Sequence, residues 1–152
     1  MEFKTQRPTS RRKRKMTLKK LTFKDEAKLH KESRRGIERF GIYHEKELIG
    51  YVDLRHETKQ IAKIGWSLDN HKYPGEVVPV AAEVIQYAWK KGYQTLITGT
   101  EGHDKAGQID AFKLGFRVDY IDEQEDRFMY QIRLEKSWSN NKDIWKFQRD
   151  LT

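Results

Sequence analysis

Gln60-Ile61-Ala62-Lys63-Ile64-Gly65-Trp66-Ser67-Leu68 is followed, across a polar loop, by Val77-Val78-Pro79-Val80-Ala81-Ala82-Glu83-Val84-Ile85-Gln86-Tyr87-Ala88-Trp89-Lys90-Lys91-Gly92. The first stretch reads as a strand. In the second, the apolar residues fall at 77/78, 80/81, 84/85 and 88/89, the spacing of one helical face. Pro79 suits the first turn, where a missing N–H costs little. Lys90 and Lys91 suit the negative helix end, and Gly92 suits a left-handed cap. A strand running into a long helix is the decisive reading, and the rest of the chain is placed around it.

Upstream, Phe40–His44 and Leu48–Arg55 read as strands, with the turns Glu45–Glu47 and His56–Lys59 after them. Short loops of this kind join antiparallel neighbours. Further upstream come a short strand at Thr17–Phe23 and a polar helix over Lys24–Arg35, with Gly36 as its stop. Downstream, Gln94–Gly99 is a strand and Thr100–Lys105 a polar loop. A short helix over Ala106–Leu114 follows, with Ile109 and Phe112 on one face and Gly115 as its stop. Phe116–Ile121 and Phe128–Leu134 are the last strands, joined by the acidic turn Asp122–Asp126. The order β-α-β-β-β-α-β-α-β-β implies an α/β fold: one mixed (α+β) sheet with helices on its faces. Three segments are expected: a basic arm at 1–15, a folded domain at 16–135, and a tail at 136–152 able to form a short helix.

The net charge of +8 is local in origin. Nine of the 31 Lys and Arg and one of the 23 acids lie in residues 1–20, so the rest of the chain is charge-balanced. The arm, with its run Arg11-Arg12-Lys13-Arg14-Lys15, is built for contact with nucleic acid, a ribosome or another anionic surface, or else serves as a solubilising tail. No stretch is long and apolar enough for a membrane span, and no apolar segment follows the first charges as in a secretory signal. With no cysteine, thiol chemistry and disulfides are excluded, and a cytoplasmic location is the simple expectation. The five His are scattered, so no metal site is expected. Trp138 and Trp145 in the polar tail are expected to dock on the domain or to form a partner or homodimer surface.

Three motifs carry a resemblance. They are Lys63-Ile64-Gly65-Trp66-Ser67-Leu68-Asp69, the helix exit Tyr87-Ala88-Trp89-Lys90-Lys91-Gly92-Tyr93, and Phe112-Lys113-Leu114-Gly115-Phe116. Their order and spacing resemble the GNAT superfamily of N-acetyltransferases, best over Phe40–Leu134. The resemblance implies transfer of an acetyl group from acetyl-CoA to a primary amine. It places the pantetheine arm of the cofactor along Trp66, Ser67 and Leu68. It places the pyrophosphate at the loop Asn70–Pro79, with Lys72, Tyr73, Gly75, Glu76, Val77 and Val78 beside it. Asp104 stands where the family often has a cofactor-binding Asn, and Phe112 adjoins the cofactor.

The chain also departs from the family's pattern. Gly75 keeps one loop glycine, while Val77 and Pro79 occupy positions where small residues are usual. Pro79 removes a donor, and Glu76 brings a carboxylate towards the phosphates. Lys63 replaces a Glu that often serves as general base, and Ala111 replaces a Tyr that often protonates the leaving thiolate. Glu101 and His103, just past the strand at 94–99, become the acid–base candidates. The short first helix points to an open acceptor side and so to a macromolecular amine. The alternative is a non-catalytic GNAT-like scaffold that binds nucleic acid, a ribosome or a protein through its arm.

Overall fold

The strand-forming residues between Ile37 and Leu68 make an antiparallel meander. In the computed structural model, which describes residues 16–21 and 36–134, β1 (Thr17–Lys20) pairs with β2 (Ile37–His44). β2 then pairs with β3 (Glu47–His56), and β3 with β4 (Ile61–Leu68). The chain crosses through α1 (Val77–Lys91) into β5 (Thr95–Glu101), parallel to β4. After α2 (Lys105–Lys113) come β6 (Arg117–Asp122) and β7 (Arg127–Arg133). The seven-stranded sheet has the order β1-β2-β3-β4-β5-β7-β6. The mixed sheet with helices is the architecture that the sequence implies. The helix at 24–35, the arm at 1–15 and the tail at 136–152 lie outside the described residues.

Helix α1 is positioned by its apolar face. Val77, Val78, Val80, Ala81, Val84, Ile85 and Ala88 are buried, and join Val52, Leu54, Ala62 and Ile64 of β3 and β4 in one core. Gly92 takes φ 104° and, with Tyr93, returns amides to Trp89 and Ala88, so the cap expected from the sequence forms. A polar clasp fixes the helix to β2: the Tyr87 hydroxyl and Lys91 Nζ, the latter at 2.7 Å, both donate to the Glu38 carboxylate. Burial alone would raise the Glu38 pKa, but these hydrogen bonds outweigh it and hold the carboxyl below its ordinary value. At the other end of α1, Tyr93 is buried and its hydroxyl lies 2.7 Å from His56 Nδ1.

Several boundaries move for physical reasons. Gly36 has φ 85° and opens β2 as a turn residue, so β2 begins at Ile37, ahead of the expected Phe40. β5 runs on through Thr100 and Glu101 because both pair with β7, so Glu101 is a strand residue and not part of a loop. In α2 the expected apolar face is reversed. Ile109 and Phe112 are 54% and 62% exposed, while Gly107, Asp110 and Ala111 face inward. Small residues at 107 and 111 let α2 lie close to β5. Trp66 is half-buried and packs against the core, its ring centroid 6.4 Å from that of Phe116.

The β2–β3 turn puts Glu45 and Lys46 at φ 50° and 70°, left-handed values that side chains resist. Lys46→Gly should therefore raise stability by about 1 kcal/mol. Thermal unfolding checks this; a lower Tm for the variant would contradict the turn geometry.

Candidate active site: the fork between β4 and β5

Parallel pairing of β4 and β5 is confined to Ile61↔Thr95, Ala62↔Leu96 and Lys63↔Ile97. Beyond those pairs both strands continue, β4 to Leu68 and β5 to Glu101, each held only by its outer neighbour. The result is a fork. At its base the Thr98 hydroxyl donates to the Ile64 carbonyl at 2.7 Å, and Thr98 is buried. A side chain here replaces the next rung of the ladder, leaving the backbone edges of Gly65–Leu68 and Thr98–Glu101 apart. Backbone N–H and C=O groups are obligate hydrogen-bonding groups, so an edge of this kind can take a ligand with amides of its own.

The two faces of the fork differ. Ala62, Ile64, Leu96, Thr98 and Thr100 point into the core. Lys63, Gly65, Ile97, Gly99 and Glu101 alternate with them and point to the opposite face. A Cβ added at Gly65 would meet nothing within 4 Å among the described residues, which leave this face open at the split.

The expected site residues distribute around the fork. Trp66 and Leu68 are half-buried on the free half of β4, and Ser67 is exposed. Glu101 ends β5, and His103 folds back so that its Nε2 lies 3.4 Å from Glu101 Oε2. The two were expected together just past the strand; the structure sets them as an exposed pair. Asp104 caps α2, its Oδ1 accepting from the Gly107 amide at 2.9 Å. A Cβ on Gly107 would collide with that carboxylate, so the cap requires glycine there. Phe112 faces outward, and the Arg117 guanidinium stacks 4.3 Å from its ring centroid.

The loop Asp69–Glu76 is satisfied largely from within. Asp69 Oδ1 accepts from the amides of His71 and Lys72, its carbonyl accepts from Tyr73, and Asn70 Oδ1 accepts from Gly75. Glu76 and Val78 donate to the carbonyls of Tyr73 and Gly75. Tyr73 is buried against His44, while Lys72 and His71 are exposed. Gly75 has φ 72° with open space around it, which makes glycine the residue for that position. The Glu76 side chain is buried, as are Val77 and Val78, so these side chains belong to the packing below the loop. A phosphate at this place would meet exposed side chains more readily than unengaged amides.

The solved structures with which this chain compares share its fold. A domain from Methanocaldococcus jannaschii superposes with a TM-score of 0.69 at 14% identity, over 80% of this chain and 99% of that one. A dodecameric spermidine N-acetyltransferase from Vibrio cholerae gives 0.65 at 14%, over 84% and 97%. A GNAT family acetyltransferase from Elizabethkingia anophelis, solved with acetyl-CoA bound, gives 0.61 at 18%, over 78% and 98%. The chain has the GNAT fold. No protein-family model and no curated protein matches the sequence. In a GNAT fold the three motifs of this chain lie where the sequence placed them: along β4, at the α1 exit, and at the end of α2 leading into β6. Among the described residues no cluster of His, Asp and Glu suits a metal, and no helix is long and apolar enough to cross a membrane.

Asp110 was not foreseen. It is only 6% exposed, on the inner face of α2. Its pKa is raised from 3.8 to about 6, first by burial and further by the Asp104 carboxylate, with Lys113 opposing. The available signal was a lone acid on the helix face that carries Gly107 and Ala111. Because the folded pKa is raised, the folded state between pH 4 and 6 keeps a proton that the unfolded chain has released. Its effect on stability is absent below the ordinary value of 3.8, grows as a penalty as pH rises towards about 6, and is complete above that. Asp110→Asn should therefore exceed the wild type by about 2–3 kcal/mol at pH 7, the difference shrinking towards pH 4. Urea titrations at both pH values check this; a pH-independent difference would contradict the burial of an unpaired charge.

Proposed function

We propose that the protein is an acetyl-CoA-dependent N-acetyltransferase acting on a primary amine. The observation that carries this reading is the fork. The free edge of Gly65–Leu68 matches what the amide-bearing pantetheine arm requires, and the opening at Gly65 admits an amine to the thioester. Solved structures of the same fold with acetyl-CoA bound support the choice of cofactor.

In this reading the cofactor enters between β4 and β5 and hydrogen-bonds as an added strand. The exposed Lys72 and His71 supply charge for the pyrophosphate, with the amide end of α1 behind them. Phe112 and Asp104 flank the cofactor on the α2 side. The amine nitrogen attacks the thioester carbon, the tetrahedral intermediate collapses, and the C–S bond breaks to release the thiolate. His103, held by Glu101, accepts the proton that the amine sheds. With Ala111 in place of a hydroxyl-bearing side chain, the thiolate takes its proton from solvent. Holding both reactants in the fork supplies much of the acceleration.

Calorimetric titration with acetyl-CoA tests the reading. Micromolar affinity is expected for the full chain. Gly65→Val should weaken it at least about tenfold with little change in Tm, because the added side chain enters the split, where a Cβ meets nothing within 4 Å among the described residues. No heat at millimolar acetyl-CoA would overturn the proposal.

A further inference from the structure

Resting on the acetyltransferase reading, we propose that the acceptor amine carries an acidic group, a carboxylate or phosphomonoester, and that Arg127 at the open face of the fork binds it.

Arg127 begins β7, directly opposite Glu101 at the end of β5 and Asp122 at the end of β6. Its guanidinium does not reach out into solvent. It lies back across the strand over Gly99, so close that a Cβ on Gly99 would fall 2.7 Å from Nη2 and 3.3 Å from Nε. The missing side chain at 99 is therefore the space that the guanidinium occupies. Gly99 shares the open face with Gly65 and Lys63, so the guanidinium lies on the side from which an amine reaches the fork.

This cation is half-buried and has no ion pair among the described residues, although two acids stand beside it in the ladder. Both acids are engaged elsewhere. Glu101 Oε2 faces His103 at 3.4 Å, and Asp122 Oδ1 accepts from the Glu125 amide at 3.2 Å. The other buried arginine on this face behaves differently: Arg39 is 6% exposed and its Nε lies 2.6 Å from Asp53 Oδ1. A half-buried guanidinium that leaves nearby carboxylates unpaired is set up for a partner from outside, and its planar fork of donors fits a carboxylate or phosphate. Lys63 stands on the same face at the last paired position of β4, also without an ion pair among the described residues. Together they offer two cations to an amine that carries its own negative group, on a face they share with the carboxylates of Glu101 and Asp122.

The geometry also fixes the order of groups. Arg127 lies level with Gly99, beyond the base of the fork, and Glu101 and His103 lie one step further along β5. An acceptor held at Arg127 by its acid therefore has its amine within reach of the neighbouring Glu101–His103 pair.

The test uses matched probes on the full chain: glycine against glycinamide, and phosphoethanolamine against ethanolamine. Binding is followed by the Arg127 Nε–Hε NMR resonance, and acetyl-CoA titration is run alongside. At least one acidic probe should bind about tenfold or more tightly than its neutral counterpart and shift that resonance. Which pair responds distinguishes carboxylate from phosphate. Arg127→Gln should abolish the preference and leave acetyl-CoA affinity unchanged. Gly99→Ala keeps the charge but displaces the guanidinium, and should weaken the preference in a chain that retains the arginine. Acetyl-CoA binding with no acid preference, or a preference that survives both substitutions, overturns the assignment of Arg127 alone. Absence of acetyl-CoA binding overturns the parent reading. The Arg127 resonance still decides the anion site in that case, because an unshifted signal refutes it.

Discussion

The proposed site depends on the parallel pairing of β4 and β5 stopping after three residue pairs. Had the ladder continued, Gly65–Leu68 would be one more buried strand edge with every backbone group satisfied. It stops because Thr98 sends its hydroxyl to the Ile64 carbonyl, and because β5 is held by β7 along its whole length while β4 is held by β3. Two antiparallel half-sheets thus diverge from a short parallel seam. The α1 core seals one face of the seam; on the other, Gly65 leaves open space among the described residues and Gly99 leaves room for the Arg127 guanidinium.

Such an opening is stable only if the surrounding structure is rigid. The α1 helix provides this, with its apolar face spread over β3 and β4 and its end clasped to Glu38 by Tyr87 and Lys91. The loop before α1 is closed on itself through Asp69 and Asn70. The amides of His71, Lys72, Tyr73, Gly75 and Glu76 are spent on its own shape, so in the proposed site exposed side chains supply charge for an anion. This is the structural counterpart of the unusual residues at 74–79: valines anchor the start of α1 from inside, where smaller residues would let the backbone come nearer a ligand.

The order of elements was legible because period and punctuation agree. The 77–89 pattern, Gly92 and the short turns each signal one structure and no other. The reversed face of α2 was not legible from hydropathy, since Ile109 and Phe112 outweigh Gly107 and Ala111 on any apolar scale. Close helix–sheet approach selected the small residues instead. Of the site, the strand edge and the Glu101–His103 neighbourhood were implied by the family resemblance. Arg127 and Asp110 could not: one depends on a contact across strands with a glycine, the other on which side of a short helix is inward. Three-dimensional burial, not residue type, makes both exceptional.

The most direct test of the fork as the cofactor site is to follow backbone amide shifts during addition of acetyl-CoA to the isotopically labelled full chain. The account predicts the largest changes at Gly65, Trp66, Ser67 and Leu68, with smaller changes at Thr98–Glu101. It predicts only minor changes at the amides of Tyr73 and Glu76, which stay bonded within their loop. Binding that leaves Gly65–Leu68 unmoved would contradict it.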